Sequence, residues 1–119
     1  MINEIYLYTN GVLVSRRLIT KEDGTPIAPL DIVDITLRIY TLQPSNGQYT
    51  RNLIDTRSLS VTDVITATVQ ADPKGVQYNF NYCVENAFTT PNTLYLAEYT
   101  LTAAAGHKIV VVAKGRTMD

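Results

Sequence analysis

At 119 residues the chain fits a single domain, because a chain of this size buries roughly two thirds of the surface its unfolded form exposes and needs no staples to hold a core. Ten Lys and Arg stand against eleven Asp and Glu, a formal charge of −1 with no basic cluster in either half, and this argues against nucleic acid or an anionic membrane as the main partner. The lone cysteine, Cys83, cannot form an internal bridge, which fits assembly in a reducing cytoplasm.

The N-terminus, Met1 to Tyr6, lacks the basic-then-apolar form of a secretory signal and reads as mature chain. Strands are expected near residues 2–9 and 12–20, followed by a turn at Lys21 to Pro26, where Asp23-Gly24 and a proline stand between apolar segments. Val33, Ile35, Leu37 and Ile39 alternate with Asp34, Thr36 and Arg38, the period-two signature of a strand with one buried face, over 33–42. Pro44-Ser45-Asn46-Gly47 reverses the chain into a strand over 48–55, the Asn-Gly pair tolerating left-handed backbone. The β-branched run around Ile65 to Val69 predicts a strand over 64–70. It should pair across the Asp72 to Gly75 turn with 76–83, where Val76, Tyr78, Phe80 and Tyr82 face inward and Gln77, Asn79 and Asn81 outward. The loop Glu85 to Thr93 has room for one short helical turn at most. Strands over 94–103 and 108–114 form a closing hairpin around Ala104 to His107, and Gly115 to Asp119 read as a short tail, leaving residues 1–114 as the domain. About seven to nine short strands with turns between them predict an all-β sandwich or barrel.

Residues able to carry chemistry are few and scattered. His107 falls in the hairpin turn, with no acid near it in sequence and no Cys or second His to share a metal. Cys83 continues an alternating strand, where a free thiol is expected as a small buried hydrophobe. Glu22 and Asp23 are two adjacent acids before a glycine, which suits a turn rather than the defined loop calcium needs. Phosphate loops and serine elbows are absent, so no catalytic residue, metal or cofactor is assigned. Of the eight tyrosines, Tyr78, Tyr82, Tyr95 and Tyr99 alternate onto the buried side, while Tyr6, Tyr8, Tyr40 and Tyr49 are undecided.

Several strands are apolar on both faces. If Tyr95, Ala97, Tyr99 and Leu101 face inward, Leu94 and Leu96 point outward; Ile5 and Leu7 oppose Tyr6 and Tyr8, and Ile109 to Val112 has no polar face. Either the same chain covers these residues or another subunit does. Ile5, Leu7, Leu94 and Leu96 are therefore the expected interface residues.

The order Ile19-Thr20-Lys21-Glu22-Asp23-Gly24-Thr25-Pro26-Ile27, Val33 to Ile39, Ala97-Glu98-Tyr99-Thr100-Leu101-Thr102 and Gly106 to Val111 resembles the immunoglobulin-like sandwich modules of tailed-bacteriophage structural proteins, of the baseplate and head-decoration type. The resemblance spans residues 12 to 114 through short motifs. It implies an immunoglobulin-like antiparallel sandwich and a non-catalytic virion component, assembled in the host cytoplasm. Such a component would be present in several copies and bound to capsid, tail or baseplate subunits or to itself, with no nucleic acid or membrane as partner. The early end after the closing hairpin favours a stand-alone decoration or adaptor role. The competing expectation is a ligand-binding module that recognises carbohydrate through exposed tyrosines.

Overall fold

Among the described residues the period-two segments fold into eight strands in two facing sheets: β1 (Glu4–Leu7), β2 (Leu13–Arg17), β3 (Ile32–Ser45), β4 (Gln48–Leu59), β5 (Ile65–Ala71), β6 (Gln77–Val84), β7 (Leu94–Ala103) and β8 (Lys108–Thr117). A computed structural model describes residues 4–118, the side chain of Glu4 excepted; the part of the expected first strand before Glu4 lies outside the described residues. One sheet has the order β1-β8-β7-β3-β4 and the other β2-β6-β5. The chain changes sheet between β1 and β2, between β2 and β3, between β4 and β5 and again between β6 and β7. This is the Greek-key order of an immunoglobulin-like sandwich. One pairing departs from the expected antiparallel rule: β1 lies parallel to β8, Glu4 opposite Lys114 through Leu7 opposite Thr117.

A single core closes between the sheets. Ile35, Leu37, Ile39, Tyr99 and Leu101 from the larger sheet meet Leu13, Phe80 and Val84 from the smaller one, all with essentially no exposed surface. Aromatic edges fix the packing: Phe80 and Tyr82 stand edge-on to Tyr99 at 4.9 and 6.1 Å between ring centres, and Phe88 stands edge-on to Tyr95 at 5.0 Å. The Tyr95 hydroxyl accepts the Thr90 N–H at 3.1 Å, tying the loop before β7 to the strand's start as a tyrosine corner does.

Three bulges move residues off the face that alternation assigns them. Register shifts between Ile32 and Asp34, so Ile32 is buried and Val33, expected inside, is exposed. On β4 it shifts around Ile54, opposite the Ile39/Tyr40 step. On β6 the neighbours Asn79 and Phe80 are both buried, where the β5–β6 register slips. Asn79, expected in water, instead makes three bonds inside: its amide donates to the Ile19 and Ile27 carbonyls at 2.8 and 3.1 Å, and its oxygen accepts the Ile19 N–H at 2.8 Å. Tyr78, expected inside, is half-buried under the Arg16 guanidinium, 5.0 Å from its ring centre.

Element ends also differ from expectation. β4 runs on to Leu59, and a helical turn, α1 (Val61–Val64), follows it, whereas the Glu85 to Thr93 loop has none. Gly115 to Thr117, expected as tail, complete β8; the buried Thr117 hydroxyl donates to the Thr90 carbonyl at 2.6 Å and accepts the Thr93 N–H at 3.0 Å. β1 lies so close there that a Cβ on Gly115 would stand 2.8 Å from the Leu7 side chain.

Candidate functional site

β3 and β4 together form a long hairpin whose root belongs to the core and whose far half does not. Beyond the rung where Leu42 faces both Leu94 and Arg51, β3 and β4 pair only with each other. Every residue from Gln43 to Ile54 is exposed. The reversal uses Asn46 and Gly47 at φ 51° and 79°, the left-handed pair that a two-residue hairpin turn needs to match strand twist. On its other side β4 has no strand neighbour among the described residues, so this arm offers an unpaired edge with Tyr49, Leu53 and Ile54 exposed. Closer to the body the edge is guarded: Arg57 bonds Asp55 at 2.7 Å and reaches the Glu85 carbonyl at 2.8 Å.

The four expected interface residues separate. Ile5 is 44% exposed on the edge strand β1, but Leu7 is in the main core. Leu94 and Leu96 do lie on the outer face of the five-stranded sheet, yet each is only 3% exposed, which corrects the expectation that they stand open to a neighbour. With Leu42 they make a satellite cluster, flanked by Tyr40 and Val112. Long amphipathic side chains of the same chain roof it. Arg51 sits over the Tyr40 ring at 5.4 Å and pairs with Glu98 at 3.0 Å, while Lys114 sits over the Tyr49 ring at 5.4 Å. Of the apolar run Ile109 to Val112, Val111 is buried, Ile109 and Val112 are half-buried and Val110 is exposed.

Strand register also places the charged side chains of the outer face. Arg38, Arg51, Lys114 and Arg116 share the upper outer face with Glu98, and Glu4 lies opposite Lys114. At the opposite end, the base, the loop from Thr20 to Asp31 folds under the sandwich, held by Asn79 and by the Ala104 N–H donating to the Asp31 carbonyl at 2.8 Å. A cleft of about 740 Å³ opens there, floored by Ile19, Ile27, Ile32 and Ile109 and rimmed by Lys21, Glu22, Asp31 and His107. A second cleft of about 530 Å³ lies at the root of the arm between Leu42, Tyr49, Leu94 and Arg116.

Local contacts account for the shifted titratable groups. Asp23 caps its own turn, accepting the Thr25 hydroxyl at 2.6 Å and N–H at 2.9 Å, and the hydroxyl bond foremost holds its carboxyl below the usual range. Lys21 faces Asp31 at 3.5 Å. Cys83, expected inside, is exposed on β6; partial burial of its sulfur, with Glu85 second, pushes the thiol up, away from reactive thiolate. Burial pushes the Tyr99 hydroxyl up to about 12, tempered by Ser15, although neither hydroxyl reaches hydrogen-bonding geometry. Among the described residues no three His, Cys, Asp or Glu side chains gather as metal ligands would, and no helix is long and apolar enough to cross a membrane.

Tyr95 and Tyr99 are core residues as alternation placed them, and Tyr82 packs against the core; Tyr6, Tyr8 and Tyr49 are exposed. The arm was not legible in the sequence; the Asn-Gly reversal marked only its tip. In comparisons with known protein families, curated proteins and solved structures, nothing matches the chain.

Proposed function

We propose that the chain is a non-catalytic structural subunit that joins neighbours, copies of itself or other subunits of a particle, through the β3–β4 arm. The observation that carries this reading is the arm's unpaired edge: an exposed strand with apolar side chains on it is a template for another chain unless it is covered. The setting in a tailed-phage virion is what the sequence resemblance implies. The apolar strand faces first expected to do the joining are replaced in this reading by Tyr49, Leu53 and Ile54, because Leu94 and Leu96 are already covered.

Light scattering over rising concentration tests it. The full chain is expected to associate, and Leu53→Asp with Ile54→Asp to abolish association without unfolding the body. A wild-type chain that stays monomeric throughout overturns self-joining. One observation favours a second reading: Tyr6 and Tyr8 are 65% and 75% exposed, rings free to stack on a sugar. Binding to a glycan array, lost on Tyr6→Ala with Tyr8→Ala, would support it over assembly.

A further inference from the structure

The edge strands of the two sheets, β1, β4, β2 and β5, are not finished alike. Among the described residues β1 is only four residues long. On β2 the Arg16 carbonyl accepts the Arg17 guanidinium at 2.9 Å, and on β5 the Thr68 carbonyl accepts the Thr66 hydroxyl at 2.6 Å and the Gln70 amide at 3.2 Å. The root of β4 is closed in the same way, the Asp55 carboxylate accepting the Thr56 N–H at 2.9 Å. The arm ahead of the Ile54 bulge has no such cap among the described residues. Its turn closes on Ser45 and Gln48, which exchange backbone bonds in a two-residue hairpin, so by alternation the N–H and C=O of Tyr49 and Arg51 point away from β3. No proline or bulge interrupts 48–53, and its one charge is Arg51.

We infer that this bare segment pairs antiparallel with the same segment of a second copy of the chain, about a two-fold axis through Thr50. The inference rests on the assembly reading above and names its partner and its register. A two-fold axis normal to the sheet sets one residue against itself and keeps the outer faces of the two sheets on one side. Centring on Arg51 sets like charges directly opposite, which is destabilising. Centring on Asn52 or Leu53 runs the ladder into the Ile54 bulge and the capped Thr56, and centring on Tyr49 shortens it. Thr50 keeps every pair ahead of the bulge: Gln48 meets Asn52 of the second copy, Tyr49 meets Arg51, and Thr50 meets Thr50. Amide faces amide, aromatic faces cation and hydroxyl faces hydroxyl, each a complementary cross-strand pair. Tyr49 and Arg51 then exchange the backbone bonds that their free sides leave unmade. In this register Ile54 of the second copy falls beside Asn46, so the two bodies lie at opposite ends of the ladder. An isologous contact closes on itself, and each bare edge covers the other.

Cysteine cross-linking of the full chain reads the register. Cys83, the lone thiol, is replaced by Ser in every variant. Thr50→Cys sets two thiols on a non-hydrogen-bonded pair, where Cα atoms about 4.5 Å apart fall within the range a disulfide accepts. Under mild oxidation it is expected to form covalent dimer at least about tenfold faster than Val76→Cys, an equally exposed position beside the β5–β6 turn. Gln48→Cys and Asn52→Cys should each link slowly alone and rapidly when mixed, since 48 faces 52 across the axis. All of these positions are exposed, and circular dichroism with thermal unfolding checks that each variant is folded. The mixed pair serves if Thr50→Cys fails to fold.

If light scattering shows the wild type to associate but Thr50→Cys links no faster than Val76→Cys, the inference is overturned while the assembly reading stands. Asn52→Cys alone linking faster than Thr50→Cys also overturns it, because the axis then lies elsewhere. A mixture of Gln48→Cys and Asn52→Cys that links no faster than its components overturns it too. A wild type monomeric at every concentration removes the self-joining reading together with the inference.

Discussion

The main core and the satellite cluster on the other side of β7 are both dry, but by different means. Tyr95, Ala97, Tyr99 and Leu101 are covered by a second sheet; Leu94 and Leu96, one residue out of phase, are covered by Arg51, Lys114 and two tyrosines of their own sheet. A sheet can thus bury apolar residues on its solvent side when long cationic side chains lie across them with their charges in water. An apolar residue on the outer face of a strand is therefore weak grounds for a partner. An unpaired strand edge is stronger, because hydrogen-bonding groups cannot be roofed by packing alone.

Substitutions in the two clusters should separate them. Leu37→Ala, in the main core, is expected to cost about 4 kcal/mol in denaturant unfolding, and Leu96→Ala about 2 kcal/mol, since the side-chain roof over Leu96 can collapse where a sheet cannot. Equal losses would mean the roof is as rigid as a sheet. Between them lies Asn79→Ala at about 3 kcal/mol, because it strands the Ile19 N–H and two carbonyls inside the base. Its loss should also speed amide exchange in the Thr20 to Asp31 loop. Lys114→Ala should cost only about 0.5–1 kcal/mol, the scale of a partly exposed cation on an aromatic face.

The smallest effect is on acid stability. Asp55 has its carboxyl held below the ordinary 3.8, first by its bond to Arg57. A lowered folded value contributes stability that is fully present above 3.8 and is lost as pH falls through the lowered value. Asp55→Asn should therefore flatten the melting temperature against pH below about 4 and leave its pH dependence near neutrality unchanged.

Much of the fold was legible because alternation and turn chemistry are local. Ile35, Leu37 and Ile39 read correctly, as did the Asn46-Gly47 reversal and the closing hairpin around Gly106. Bulges were not legible, since one extra residue inverts every later side chain without changing composition; Val33 and Asn79 were misplaced for that reason. Thr117 looked like tail because its anchors, Thr90 and Thr93, lie far away in sequence. The site was less legible than the fold. Pattern put Leu94 and Leu96 on the outer face but carried no information on what lies over them.

Amide hydrogen exchange on the full chain, dilute and then concentrated, tests the central claim most directly, because it shows which strand a neighbour covers. Residues 48–54 of β4 should exchange quickly in the dilute chain and slow markedly on association, while the buried half of β3 stays slow in both. Association that leaves 48–54 as fast as before would contradict the account.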